Sequence, residues 1–168
     1  GILTALAALA GGCARVMIFD VVADKLETAG AYRGIVPLTP AGGDLTDQVM
    51  AATGGWGADV IFECSGHPSA FTQIFHHARP GGCVVFVGMP VAPVGFDVVT
   101  AQTKELRMET VFRYANVYDR AVEFIASGKI DLNPLITETF AFADAVRAFE
   151  RAAEARPTDI KLQIQLPE

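Results

Sequence analysis

Arg15–Asp20, RVMIFD, is the stretch whose reading decides the fold. Four apolar residues in a row suit a strand covered on both faces of a parallel sheet, and the run stops on an acid. Ahead of it, Ile2–Ala10 (ILTALAALA) consists of strong helix formers and is apolar nearly all round. Gly11 and Gly12 close that helix as a C-cap. Gly1 stands nineteen residues before Asp20. A helix, then a strand, then an acid at the strand's tip is the back half of a dinucleotide-binding βαβ unit. In such a unit a glycine-rich turn leads into the helix and the acid holds the adenosine ribose hydroxyls. The expectation is that the first strand and all of the turn except its last glycine, Gly1, are missing here. The chain then reads as a piece of a larger cofactor-binding enzyme.

Working outward, the pattern predicts a helix over Asp24–Ala31 and a brief strand at Ile35–Val36, stopped by Pro37 and Pro40. Asp44 is a good N-cap for a helix running to Thr53. Asp59–Glu63 (DVIFE) and Cys83–Val87 (CVVFV) are continuous apolar strands, separated by a helix over Ser69–Ala78 and a sharp turn at Pro80–Gly82. A loop over 89–97, a short helix Val99–Glu105 and a strand Leu106–Phe112 follow. Asn116–Ser127 is expected to be an amphipathic helix with Ala121, Phe124 and Ile125 inward, closed by Gly128. The tail reads strand, helix, strand: Ile136–Phe140, Ala143–Ala153 and Ile160–Leu166. The regular alternation implies an α/β fold with a doubly wound parallel sheet and right-handed crossovers over residues 1–128. Residues 129–168 have another rhythm and are expected to return toward a neighbouring domain.

Composition bounds the function. With 168 residues, 51% hydrophobic and 19% charged, the chain is long enough for one well-buried domain. A net charge of −6 argues against a nucleic-acid surface, which needs a basic patch. The apolar run around Ala5–Ala10 ends at Gly11–Gly12, well short of the ~20 residues a membrane span requires. Cys13, Cys64 and Cys83 are odd in number and far apart, which fits a reducing, cytoplasmic setting rather than a metal pair.

Four segments in order, RVMIFDVVADKLETA, GADVIFECSGHPSA, GGCVVFVGMP and ETVFRYANVYDRAVEFIASGKID, resemble the medium-chain zinc-dependent alcohol dehydrogenases, and within them the polyol branch of sorbitol and xylitol dehydrogenases. The segment VFRY at Val111–Tyr114 is the most diagnostic. The resemblance implies a Rossmann-type NAD-binding domain followed by closing elements of a catalytic domain. It places the zinc ligands N-terminal to this sequence, so that no catalytic residue and no metal ligand is expected within it.

The candidate cofactor residues sit at strand ends. Asp20 would accept hydrogen bonds from both ribose hydroxyls and repel a 2′-phosphate, selecting NAD over NADP; the plainer reading is a strand-end acid that starts a turn. Lys25, five residues on, stands either near the adenosine or on a solvated helix face. Cys64, Ser65 and Gly66 follow the Asp59–Glu63 strand, where ligands bind beyond the carboxyl ends of an open sheet and small residues let backbone come close. By resemblance Val87, Gly88 and Met89 border the nicotinamide, with Val111, Phe112 and Arg113 beside it. Arg113 and Tyr114 would reach a hydroxyl-rich substrate, through Arg's fixed donors and Tyr's donor–acceptor hydroxyl. Their plainer reading is an ion pair and a packed ring. His67, His76 and His77 read as surface or packing residues, because adjacent helical histidines point about 100° apart.

The implied activity is oxidation of a secondary alcohol on a sugar alcohol to a ketose, with NAD as acceptor and zinc held only in the missing part. The isolated chain is expected to bind NAD weakly at most and to be inactive. Alternatives are a non-catalytic NAD-binding module, a threonine- or aryl-alcohol-type dehydrogenase, and a purely structural fragment. In the usual strand order 3-2-1-4-5-6 the first strand is central. Without it, the second and fourth strands must pair directly, take another polypeptide between them, or stay apart. A homo-oligomer joined through the sheet edge near Val91–Val98 is also implied by the resemblance.

Overall fold

The computed structural model describes residues 1–167. Its first unit is α1 (Ile2–Ala10), β1 (Val16–Phe19), α2 (Ala23–Gly30) and β2 (Ile35–Leu38), with β1 and β2 parallel. α3 (Leu45–Ala52) leads into β3 (Ala58–Glu63), α4 (Pro68–Gln73), β4 (Ala78–Phe86), α5 (Val98–Thr103) and β5 (Arg107–Thr110). β3, β4 and β5 form a parallel sheet in that order. α6 (Tyr118–Ala126) then crosses to a parallel pair, β6 (Ile136–Ala141) and β7 (Lys161–Gln165), joined by α7 (Ala145–Ala153).

Among the described residues β1 and β3 do not pair, and β1–β2 and β3–β4–β5 are separate parallel sheets. Each has its own core. Ala5 and Leu6 of α1 pack with Ala29, Ile35 and Leu135, and Val16, Ile18, Ile130, Leu132 and Ile160 close over them. On the other side Ile74, Phe75, Ala78, Val84 and Ala101 pack together under Ile61, Phe86 and Leu106. The rings of Phe71 and Phe86 stack there at 5.3 Å. Two contacts bridge the gap: Cys64 after β3 lies 3.5 Å from the Thr4 hydroxyl on α1, and the Arg15 guanidinium donates to the Ala52 carbonyl at the end of α3.

Several element boundaries depart from the sequence expectation for local reasons. β2 runs on through Pro37, which sits opposite Ile18. β2 has only β1 as a partner, and an edge strand tolerates a residue without an N–H. The helix expected over Ser69–Ala78 stops at Gln73 and tightens into a 3-10 turn, Ile74–His77. Lys104 holds that turn: its ammonium donates to the carbonyls of Phe75 (3.0 Å), His76 (2.8 Å) and Ala78 (2.8 Å). Pro80–Gly82 is a bulge inside β4 rather than a turn outside it. Ala58 faces Ala78, yet Val60 already faces Cys83, so the extra residues loop out. Gly57 (φ 94°) allows this, since a methyl there would stand 2.7 Å from the Arg79 nitrogen.

β5 is shorter than the expected Leu106–Phe112. α6 does not bury the face assigned to it: Phe124 is half-buried, whereas Ala121 and Ile125 are exposed. In the last unit Arg151 of α7 forks onto Asp159 (2.9 and 2.8 Å), just before β7, and also meets Glu138 of β6, tying the helix to the N-terminal end of the pair. The Arg151 guanidinium beside it holds the Asp159 carboxyl below the usual carboxylate range. No helix among the described residues is long and apolar enough to cross a membrane.

His77 is buried in the 3-10 turn, and its Nε2 has no hydrogen-bond partner. Burial pushes the imidazole below its ordinary value; Asp44 pulls the other way, and His76 and Lys104 add to the depression. The unfolded chain therefore takes up the proton first as pH falls, so this histidine costs stability below its unfolded pKa of about 6.5 and costs nothing well above it. Urea unfolding from pH 8 to pH 5 should show stability falling through that window. His77→Leu should flatten that part of the curve.

Candidate functional site

The carboxyl ends of β1, β3, β4 and β5 carry the residues singled out from sequence. Asp20 stands directly after β1 and is half-buried. Its Oδ1 accepts from the Val22 backbone N–H at 2.9 Å. Its Oδ2 accepts no hydrogen bond from the described residues. One oxygen thus starts a turn, as the plainer reading of Asp20 has it. Lys25 is half-buried on α2 and makes no ion pair among the described residues. Gly1 caps α1 through its carbonyl, which accepts from the Ala5 N–H at 3.0 Å. The first turn of α1 contains no acidic residue.

Cys64, Ser65 and Gly66 form a tight turn after β3, and Val87, Gly88 and Met89 follow β4. The two turns are in close contact. A methyl on Gly88 would lie 2.3 Å from the Gly66 nitrogen, and one on Gly66 (φ 66°) would lie 2.7 Å from the Met89 carbonyl oxygen. Only glycine allows backbone to pass backbone at this distance. Ser65 and Met89 are exposed on the outer side of these turns, and Val87 is partly so.

The residue that sequence reasoning missed is Glu63. It was read as the last residue of an apolar strand, yet its side chain is 4% exposed and organises the turn. Its carboxylate accepts from the Ser65 N–H (2.8 Å), the Ser65 hydroxyl and the Gly66 N–H (3.0 Å). Its own carbonyl accepts from the N–H groups of Val87 and Gly88, both at 2.8 Å. The available signal was an acid closing an apolar strand just before Ser-Gly, a sequence that offers a carboxylate nearby N–H donors.

Val111, Phe112, Arg113 and Tyr114 follow β5 and are exposed. Arg113 has φ 59°, a left-handed conformation that L side chains seldom adopt, and its guanidinium lies 5.2 Å from the centre of the Phe112 ring. Tyr114 packs edge-on against Tyr118 at 5.1 Å, and the hydrogen bond between them raises the Tyr118 phenol above its ordinary value. The plainer reading of Arg113 as half of an ion pair does not hold among the described residues; it stacks on a ring instead. His67 caps α4, its Nδ1 accepting from the Ser69 N–H. No group of three or more His, Cys, Asp or Glu side chains among the described residues is placed to hold a metal ion.

Residues 1–127 match the family model described as zinc-binding dehydrogenase. The chain belongs to the zinc-binding dehydrogenase family. A Rhizobium meliloti protein provisionally named D-xylulose reductase is 58% identical over 167 residues, 99% of this chain and 48% of its own length. The D-xylulose reductase of Morganella morganii is 45% identical over 155 residues, 92% of this chain and 46% of its own. Among solved structures, the L-idonate 5-dehydrogenase of Escherichia coli superposes with a TM-score of 0.83 at 30% identity, covering 97% of this chain and 46% of that one. The chain spans about half the length of the curated relatives it matches.

The contact between the two turns has a direct test. Gly88→Ala should destabilise this zinc-binding dehydrogenase chain by about 1–3 kcal/mol, as overpacking against fixed backbone does. Gly95→Ala, where a methyl meets nothing within 4 Å, should leave stability nearly unchanged. Guanidinium unfolding of both variants reads the difference.

Proposed function

We propose that the chain is the NAD-binding part of a polyol dehydrogenase that oxidises a secondary alcohol of a sugar alcohol of the sorbitol or xylitol type to a ketose. The observation that carries this reading is the likeness, over nearly all of this chain and about half of theirs, to D-xylulose reductases. The rim geometry supports it. Residues 1–128 act as the cofactor domain, and 129–168 as a segment returning toward the part of the relatives that lies outside this sequence.

In this reading Asp20 takes the adenosine ribose, its free Oδ2 accepting from one hydroxyl and its charge turning away a 2′-phosphate. Lys25 lies on the adenosine side. The N-terminal end of α1, at Gly1, faces the pyrophosphate. The turn Cys64–Gly66 forms the floor, and Val87–Met89 presents backbone to the nicotinamide, with Val111 and Phe112 on its flank. Arg113 is held out from β5 and, with Tyr114, offers donors to the hydroxyls of the polyol. The bound nicotinamide supplies the hydride acceptor, while these residues supply orientation and exclude water. In this reading zinc belongs to the part of the relatives outside this sequence, and no step here is assigned to it. The exposed segment Val91–Val98 is the proposed contact between copies. The cytoplasm is the proposed compartment, in keeping with three unpaired cysteines.

Calorimetric titration tests the Asp20 assignment. Asp20→Ala should weaken NAD binding by about tenfold, the cost of losing hydrogen bonds to a charged group, and should narrow the preference over NADP. Equal affinity of both variants for NAD would refute the assignment. The chain alone, supplied with zinc, should not turn over xylitol or sorbitol in a spectrophotometric assay of NADH formation.

A further inference from the structure

Glu63 and His77 are the buried carboxyl and imidazole side chains among the described residues, and Glu63 is the one at the rim. The function proposed above gives it no task. The carboxylate is enclosed by donors on one side, namely the Ser65 N–H, the Ser65 hydroxyl and the Gly66 N–H. The Ser65 oxygen in turn accepts from the His67 N–H at 3.0 Å, so a short chain of donors ends on Glu63. On the other side Oε2 faces Gly88, where a methyl would stand 2.7 Å away. The same residue's carbonyl holds the N–H groups of Val87 and Gly88. One residue thus fixes both turns, and one negative charge lies directly behind the backbone of the β4 turn.

We propose that Glu63 is a positioning residue for the nicotinamide end of the site, and that its buried charge makes the site favour oxidised over reduced cofactor. The proposal rests on the reading that Val87–Met89 border the nicotinamide. The oxidised ring carries a positive charge and the reduced ring carries none. A carboxylate behind the rim, out of water and poorly screened by salt, attracts one form and is indifferent to the other. A purely packing role makes no such distinction, since loosening the turns weakens both forms alike.

The test is titration of NAD+ and of NADH into the full 168-residue chain, followed by calorimetry and by the backbone amide NMR signals of Ser65, Gly66 and Gly88. Glu63→Gln keeps the size, removes the charge and turns one acceptor into a donor. Its affinity for NAD+ should fall at least about threefold more than its affinity for NADH. Ser65→Ala keeps the charge and should weaken both forms equally. If Glu63→Gln weakens the two forms equally, or NADH more, the proposal is overturned. Should that variant not fold, Glu63→Asp keeps the charge with a shorter reach and must retain the wild-type preference; its loss overturns the proposal too. If neither cofactor moves the rim amides of the wild-type chain, the underlying cofactor reading fails, and the proposal with it. If the amides move and only the redox preference is unaffected by Glu63→Gln, the proposal alone fails.

Discussion

A parallel sheet satisfies its backbone only when every inner strand has two neighbours. Among the described residues β1 pairs only with β2, and β3 only with β4. Val60 and Phe62 of β3 and Phe19 of β1 are left substantially exposed, although the continuous apolar character of these strands is that of strands covered on both faces. Beside the Arg15 contact to Ala52, α1 links the two sheets. Its Ala5 and Leu6 belong to the core of β1 and β2, while its Thr4 reaches Cys64 at the end of β3. The helix is apolar nearly all round because it serves a sheet on one side and the segment Ile130–Leu135 on the other.

The functional rim inherits this arrangement. Its parts lie beyond the carboxyl ends of parallel strands, where an open α/β sheet leaves space. The half built on β3 and β4 is rigid for a stated reason: Glu63 binds its own turn through the side chain and the next turn through the main chain, and two glycines let the turns touch. The half built on β5 is different. Val111–Tyr114 is exposed and leaves β5 through a left-handed arginine, with ring contacts in place of a core beneath it.

Sequence patterning was most informative where side-chain chemistry and backbone need coincide. The alternation of apolar strands with helices, the acid after β1, and the small residues after β3 and β4 could all be read directly, because each reflects a local physical demand. Legibility failed where a distant partner decides the outcome. Pro37 looked like a strand breaker, and only the absence of a second neighbour for β2 makes it tolerable. The helix after Pro68 ended early because Lys104, some thirty residues on, gathers three carbonyls at its foot. The face of α6 assigned inward is only half-buried at Phe124 and exposed at Ala121 and Ile125. Glu63 was hidden by its strand: the acid closing an apolar run reads first as a strand end, and only the Cys-Ser-Gly after it offers the donors that turn it inward.

Asp20 and Glu63 show how position along the same rim separates two carboxylates of one chemistry. Asp20 spends one oxygen on the Val22 N–H and keeps the other for solvent or ligand, so its value lies in what it leaves unsatisfied. Glu63 has its donors supplied from within the fold, so a ligand need not replace them, and its burial is affordable because three of them converge on it. The first can recognise hydroxyls by direct contact. The second can act only through the backbone it holds and the field it sets. Asp20 is half-buried with one oxygen bonded inside the fold, whereas Glu63 is buried with its donors supplied from its own turn. That division of labour follows from burial alone.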